Sequence, residues 1–374
     1  MSPIEYLFER QVISDRWNIE AENSRLVEQI QEEGIFIFGA HKVGAKLLKA
    51  CSTRGIRVIG FFDNDDTKTH ATLDGLKILK PNAEITKDKV IVVASGRHSN
   101  SILNQLATYE RCRALNIHKF QYLFDLEHQA EGSFRNFRDS LVENKKKFLT
   151  AFNRLSDDKS RQTFEGLLKI RLDLEISHSD RFKCDPNYEY CDELFIRKED
   201  MESYVDVGAY NGDTLDRIEQ FLTPAKKAFL FEPELEPYIK ALSKYKERNS
   251  VYIFNLALSD TIAKTKYSSQ LSFDSPAYRN QTSVTPSIQF VKLDSIGIDN
   301  VSFIKIDVEG GELAVLKGAQ NLIRQFQPKL AVCAYHKAND YWEIIEYVLS
   351  LVENYRVGMR HYSDILDDTT LYFS

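Results

Sequence analysis

Cysteine is sparse in this 374-residue chain and has no pairing pattern: Cys51, Cys112, Cys184, Cys191 and Cys333 are an odd number with no Cys-x-x-Cys pair. That argues against a disulfide framework or a thiolate zinc site and fits reduced thiols. Cys184 and Cys191 lie closest together, but no histidines stand around them at ligand spacing, so free thiols are expected there too. Glycine (16) and proline (9) are too few for a collagen-like or low-complexity chain. No apolar run reaches the roughly 18 to 20 residues needed to span a bilayer. The first twenty positions are studded with charge where a signal peptide would be apolar, so no membrane span and a cytoplasmic location are expected. An excess of positive charge is missing as well. With 49 basic against 55 acidic residues and a net charge of -6, no phosphate-neutralising surface and no nucleic-acid partner are expected.

What is present is an ordinary globular composition, 43% apolar and 28% charged, long enough for two domains. No internal repeat is visible. The first 124 residues read as a small doubly wound α/β domain. The apolar run Ile35-Phe36-Ile37-Phe38 breaks at Gly39, and a helix carrying Val43, Leu47 and Leu48 follows and ends before Gly55. A second strand over 57–62 stops at Asp63, and a third runs over Val90 to Ala94. Gly39, Gly44 and Asp63 have an acceptable spacing for a ribose-binding turn, but His41 stands where a dinucleotide fingerprint needs its middle glycine. A nucleotide-sugar headgroup and a purely structural domain are both compatible with that pattern. His98, at the next strand exit, reads as structural.

Residues 125–199 lose strand signals and read as a helical connector, with Phe148, Phe152 and Leu155 and then Phe164, Leu167, Leu168 and Ile170 at helical spacings. Its closing run, Asn187 to Phe195, is rich in aromatics and suits docking on the domain that follows, as packing or as a substrate contact. Residues 200–374 form the fuller α/β pattern. Seven strands are predicted over 204–207, 228–231, 251–256, 303–308, 330–335, 355–361 and 370–373, the last two antiparallel because only a short turn joins them. Helices are predicted over 215–221, 235–245, 313–326 and 342–352.

The first of these strands runs into Asp206-Val207-Gly208-Ala209-Tyr210-Asn211-Gly212-Asp213-Thr214, a glycine-bearing turn that opens a helix. Backbone amides and the positive helix end there can face a carboxylate or phosphate. Glu232 ends the next strand, 26 positions after Asp206, where a carboxylate can accept both hydroxyls of a ribose. Tyr210 replaces the central glycine of a dinucleotide fingerprint and would crowd a pyrophosphate. A ligand with ribose and an amino-acid end but no pyrophosphate fits better, and S-adenosylmethionine is such a ligand. Asp206, Gly208, Ala209, Gly212 and Thr214 would shape its methionine end, Glu232 its ribose site, and Ala257, in the stretch Leu256 to Asp260, its adenine site.

The same stretch resembles the FkbM-family methyltransferases. The resemblance rests on Asp206-Val207-Gly208-Ala209, Phe231-Glu232-Pro233, Ala257-Leu258-Ser259-Asp260 and, most discriminating, the run from Phe303 through Asp307-Val308-Glu309-Gly310-Gly311-Glu312-Leu313. Val315 to Ala319 and Pro328 to Ala331 extend it. It implies a class I methyltransferase domain with a Rossmann-like seven-stranded sheet, preceded by the smaller α/β domain and the connector. It also implies methyl transfer from S-adenosylmethionine, usually to a hydroxyl oxygen, with a sugar, glycan or secondary metabolite as acceptor. More loosely, the first domain resembles nucleotide-binding-like domains attached to sugar-modifying enzymes. A non-catalytic sensing module on a degenerate methyltransferase fold is the alternative.

On the acceptor side, Asp307 and Glu309 follow one parallel strand and His336 the next, all on the ligand-binding edge. Methylating an alcohol requires loss of its proton, and a histidine titrating near neutrality can take it. His336 is therefore the candidate base, with Asp307 and Glu309 as the other catalytic candidates and Glu312 as either a helix-cap or a catalytic carboxylate. Asp307, Glu309 and His336 also make an adequate ligand set for a divalent cation, but nothing in their spacing demands one and none is expected.

Overall fold

The computed structural model describes residues 3–6, 23–96, 98–126, 134–266 and 287–374. They divide into two compact units. The first comprises Met1–Lys145, Gln162–Lys183 and Ser363–Leu366; the second comprises Lys146–Arg161, Cys184–Tyr362 and Asp367–Ser374. Among the described residues no helix is long and apolar enough to cross a membrane.

In the first unit, β1 (Ile35–Phe38), β2 (Val58–Phe62), β3 (Thr72–Leu73), β4 (Leu76–Leu79), β5 (Val90–Val93) and β6 (Arg113–Asn116) form one sheet in the order β3-β4-β2-β1-β5-β6. All its pairs are parallel except β3 with β4. The unbroken apolar run of β1 is explained by burial on both faces. Ile35 and Ile37 enter one core cluster, and Phe36 and Phe38 the opposite one. Three of the strands, β3, β4 and β6, go beyond the sequence expectation; each is too short or too broken by polar residues to leave a long apolar run to read.

The second unit is built on β7 (Ser203–Val207), β8 (Lys227–Phe231), β9 (Val251–Phe254), β13 (Phe303–Ile306), β14 (Lys329–Cys333), β15 (Val357–His361) and β16 (Thr369–Phe373). These are the seven expected strands. They form one sheet in the order β15-β16-β14-β13-β7-β8-β9, with β16 antiparallel to both its neighbours. A separate three-stranded sheet of β10 (Ala257–Leu258), β11 (Ala263–Lys266) and β12 (Ser287–Val291) adds to that expectation. The helix expected over 313–326 is two, Glu312–Gly318 and Gln320–Phe326, hinged at Ala319. β7 is first in sequence and central in space, so the chain leaves it toward β8 on one side and returns to β13 on the other. That switch point opens a crevice at the carboxyl ends of the strands.

The stretch read as a connector contributes to both units. Phe148, Phe152 and Leu155 are buried in the second unit, whereas Phe164, Leu167, Leu168 and Ile170 are buried in the first. Helix Asp158–Asp173 passes from one unit to the other, because neither apolar group has enough surface of its own to form a third core. The turn between β15 and β16 likewise serves the first unit: the Asp364 carboxylate accepts from the Asn100 amide at 3.1 Å and pairs with Lys183.

Candidate functional site

Five strand ends line up along one edge of the second sheet. In spatial order β14, β13, β7, β8 and β9 deliver His336, Asp307, Gly208, Glu232 and Asn255. Parallel register makes the alignment unavoidable: Val207 lies opposite both Ile306 and Phe231, so the residues that follow them emerge side by side.

At the centre, the β7 turn touches the β13 exit. Gly208 has φ 78°, and a Cβ there would stand 1.9 Å from the Asp307 carbonyl oxygen, so only glycine fits. Its carbonyl accepts from Lys305 Nζ at 2.7 Å, and the same ammonium pairs with Asp206 Oδ1 at 3.1 Å. Both side chains of this pair are buried, at 2% and 0% exposure. Burial raises the Asp206 pKa, opposed by Lys305, while the Lys305 pKa, which burial would lower, is raised by Asp206 and Asp307. Asp206 therefore holds Lys305, and through it the Gly208 carbonyl, rather than facing an open pocket. Ala209 is buried beside it, Gly212 is the left-handed residue that starts helix Asp213–Phe221, and Thr214 lies in that helix's first turn.

Glu232 is buried at the end of β8. Its Oε2 accepts from the Tyr210 amide at 2.8 Å and its Oε1 from the Glu234 amide at 2.7 Å. Burial nevertheless pushes its pKa up to about 7. These bonds tie the carboxylate to the glycine turn across the sheet edge, and each oxygen keeps a second lone pair for a ribose hydroxyl. Asn255 Nδ2 donates to the Glu232 and Pro233 carbonyls at 3.0 and 2.9 Å, bringing the β9 exit to the same place. Ala257, two residues on, lies in β10.

The acceptor edge is strongly acidic. The His336 ring nitrogens lie 2.9 Å from Glu312 Oε1, 3.3 Å from Glu309 Oε2 and 3.9 Å from Asp307 Oδ1. Burial would lower the histidine's pKa, but Glu309 and Glu312 push it up to about 11. The structure thus differs from the expectation of a neutral base: an imidazole held this way carries its proton at neutral pH and offers no lone pair. Glu312 is not merely a cap at a helix start. It reaches back to the amides of Val308 and Gly310 at 3.1 and 3.2 Å and faces the His336 ring. Asp340, close by, is raised to about 7 by burial and by Glu312.

The aromatic run after the helical stretch docks on this unit and also reaches the site. Tyr190 donates from its hydroxyl to Asp307 Oδ2 at 3.1 Å, while its amide donates to the Tyr372 hydroxyl at 2.9 Å. Phe195 stacks on Tyr372, and Glu189 pairs with Arg217 at 3.0 Å. Sequence reasoning does not single out Tyr190, Lys305, Asn255 or the Glu312–His336 contact. Only Lys305 has a visible signal, a lysine inside the apolar run Phe303 to Ile306, which a buried strand tolerates only with a carboxylate opposite.

In the first unit, the Asp63 carboxylate is spent on its own turn. It accepts from the amides of Ala40 and Asp65 at 2.9 and 3.0 Å and from Lys68 Nζ at 3.1 Å. His41 caps the following helix through Nδ1, accepting from the Val43 amide.

Compared with known proteins, residues 206–357 match the family model described as the methyltransferase FkbM domain. Over 100% of the chain and 97% of the other, the fold is similar to a crystal structure of methyltransferase FkbM from Methylobacillus flagellatus KT, at 24% identity and a TM-score of 0.76. An rRNA methylase from Streptococcus thermophilus (12% identity, 47% of this chain, 91% of that one, TM-score 0.29) and Aeropyrum pernix fibrillarin bound to S-adenosyl-L-methionine (10%, 48%, 69%, 0.31) superpose far more loosely. No curated protein matches the chain. The matched stretch, residues 206–357, begins at Asp206 and takes in the glycine turn, Glu232 and the whole Asp307 to Glu312 signature, and over it the chain is similar to the methyltransferase FkbM domain.

Proposed function

We propose that the chain transfers the methyl group of S-adenosylmethionine to a hydroxyl oxygen of a sugar, glycan or secondary metabolite. The observation that carries the reading is the single row of strand ends, with a turn and carboxylate suited to the cofactor (Gly208, Glu232) directly beside a polar acceptor edge (Asp307, Glu309, His336). Ribose hydroxyls would donate to Glu232, and the amino-acid end would meet the amides of the Gly208 to Thr214 turn and helix end. The acceptor oxygen attacks the sulfonium methyl in line. The new C–O bond forms as the C–S bond breaks, S-adenosylhomocysteine leaves, and the hydroxyl proton passes to a carboxylate at the β13 exit, Asp307 or Glu309. Holding the two reactants in line can supply about 7 to 11 kcal/mol. Tyr190 and the charged His336 ring act on the acceptor edge by fixing these carboxylates.

For the first unit, the bonds made by Asp63 and His41 within their own turn favour a structural role over a nucleotide-sugar pocket. The test of the main reading is incubation with methyl-labelled S-adenosylmethionine and a panel of sugars, nucleotide sugars and cell-extract glycans. Label on an oxygen with release of S-adenosylhomocysteine is the expected result. Tight cofactor binding with no transfer to any acceptor would replace the enzyme with a sensing module.

A further inference from the structure

The exits of β13 and β14 gather more negative charge than proton transfer requires. Asp307, Glu309, Glu312 and Asp340 crowd one imidazole. Glu312 is the decisive member. Its side chain is only 2% exposed, and while Oε1 accepts two backbone amides, Oε2 has no hydrogen-bond partner among the described residues. A buried carboxylate oxygen left without a donor keeps its desolvation cost uncompensated. Neither ring nitrogen of His336 has a geometrically satisfied hydrogen bond among the described residues either, although carboxylate oxygens stand 2.9 and 3.3 Å away. One oxygen of Asp307, one of Glu312 and one ring nitrogen of His336 all lie within 4.8 Å of one another. Ligands standing about 2.0 to 2.2 Å from a shared ion are separated by comparable distances.

We propose that Asp307, Glu312 and His336 bind a divalent cation, which displaces the imidazolium proton to solvent and takes the ring nitrogen's freed lone pair, so that binding releases a proton. Two carboxylates with one imidazole, and no thiolate among them, suit a hard-to-borderline first-row ion, and Mn2+ is the appropriate probe because such sites hold it more tightly than Mg2+. Tyr190, donating to Asp307 Oδ2, orients one ligand from behind. Resting on the methyl-transfer reading, the ion's role is to take the acceptor oxygen and ease its deprotonation, with the proton passing to the exposed Glu309 before the C–O bond forms and the C–S bond breaks.

The test is a Mn2+ titration of the full chain saturated with S-adenosylhomocysteine, followed by calorimetry and by the electron paramagnetic resonance of the free ion. One site per chain is expected, weakened at least tenfold in Asp307→Asn and Glu312→Gln. Because Glu312 also holds the Val308 and Gly310 amides, His336→Gln is the second variant; it should lose Mn2+ as strongly while keeping its affinity for S-adenosylhomocysteine. Wild-type protein that binds Mn2+ no better than these variants overturns the site. The two proposals fail separately. Mn2+ binding without methyl transfer to any hydroxyl leaves the site standing and removes its acceptor role, whereas full transfer in chelator with no Mn2+ binding removes the site and leaves the reaction.

Discussion

Replacing Lys305 with Met tests how the glycine turn is held. The substitution keeps the length of the side chain and removes its charge, leaving the Asp206 carboxylate at 0% exposure with no counter-ion and the Gly208 carbonyl without its 2.7 Å donor. Breaking a buried pair by removing one member is unfavourable by about 3 to 5 kcal/mol, because the remaining charge stays desolvated. For a domain of this size each kcal/mol moves the unfolding midpoint by about 2 to 4 °C, so the transition of the second unit should fall by roughly 6 to 20 °C. Scanning calorimetry of the full chain reads this directly. The sign of the pH dependence is also set. Burial already raises the Asp206 pKa, and losing Lys305 raises it further. A group whose folded pKa lies above its unfolded value adds stability at low pH and loses it as pH rises through the folded pKa, so the variant's deficit should be smallest in acid. Pairing Lys305→Met with Asp206→Leu should recover most of the loss, since well-packed apolar residues replace buried ion pairs at little penalty. A single variant within 1 kcal/mol of wild type across pH 5 to 8 would refute the reasoning.

Four further outcomes follow from the site. Glu232→Ala should weaken S-adenosylhomocysteine binding by about 1.5 to 3 kcal/mol, roughly ten- to a hundredfold by calorimetry, and unchanged affinity in a folded variant would remove it from the ribose site. Because the Glu232 pKa is raised to about 7 and ribose hydroxyls bind its charged form, affinity should fall about tenfold between pH 8 and pH 6, and the Glu232→Ala variant should lose that dependence. Gly208→Val places a Cβ against the Asp307 carbonyl and should abolish cofactor binding while the first unit's calorimetric transition is unchanged; normal binding would mean the turn is placed wrongly. Tyr190→Phe removes the donor to Asp307 and should lower kcat roughly tenfold with cofactor affinity intact, and an equal loss in affinity would instead make it a packing residue.

Local patterns in the chain determine much of this protein by themselves. The run Ile35 to Phe38 has to be a strand buried on both faces, the residues from Gly208 to Thr214 have to turn from strand to helix, and Glu232 has to end the next strand. Each of these depends on side chains within a few positions of one another, where periodicity and backbone sterics act directly. The short strands β3, β4 and β6 escape such a reading because β3 and β6 lie at the sheet edges and bury too little to leave an apolar signature and Lys77 interrupts β4, and the break at Ala319 escapes it because a helical pattern runs straight through. What only the tertiary structure decided were relations between distant residues. Asp206 meets Lys305 because β7 lies beside β13, and the helical stretch divides between two cores because each apolar group follows the sheet that can bury it. His336 shows the largest difference. A histidine at a strand exit reads as a base from its intrinsic pKa, but its charge is set by Glu309 and Glu312, which follow the neighbouring strand, and electrostatic interactions depend on separation in space, which sequence order does not record.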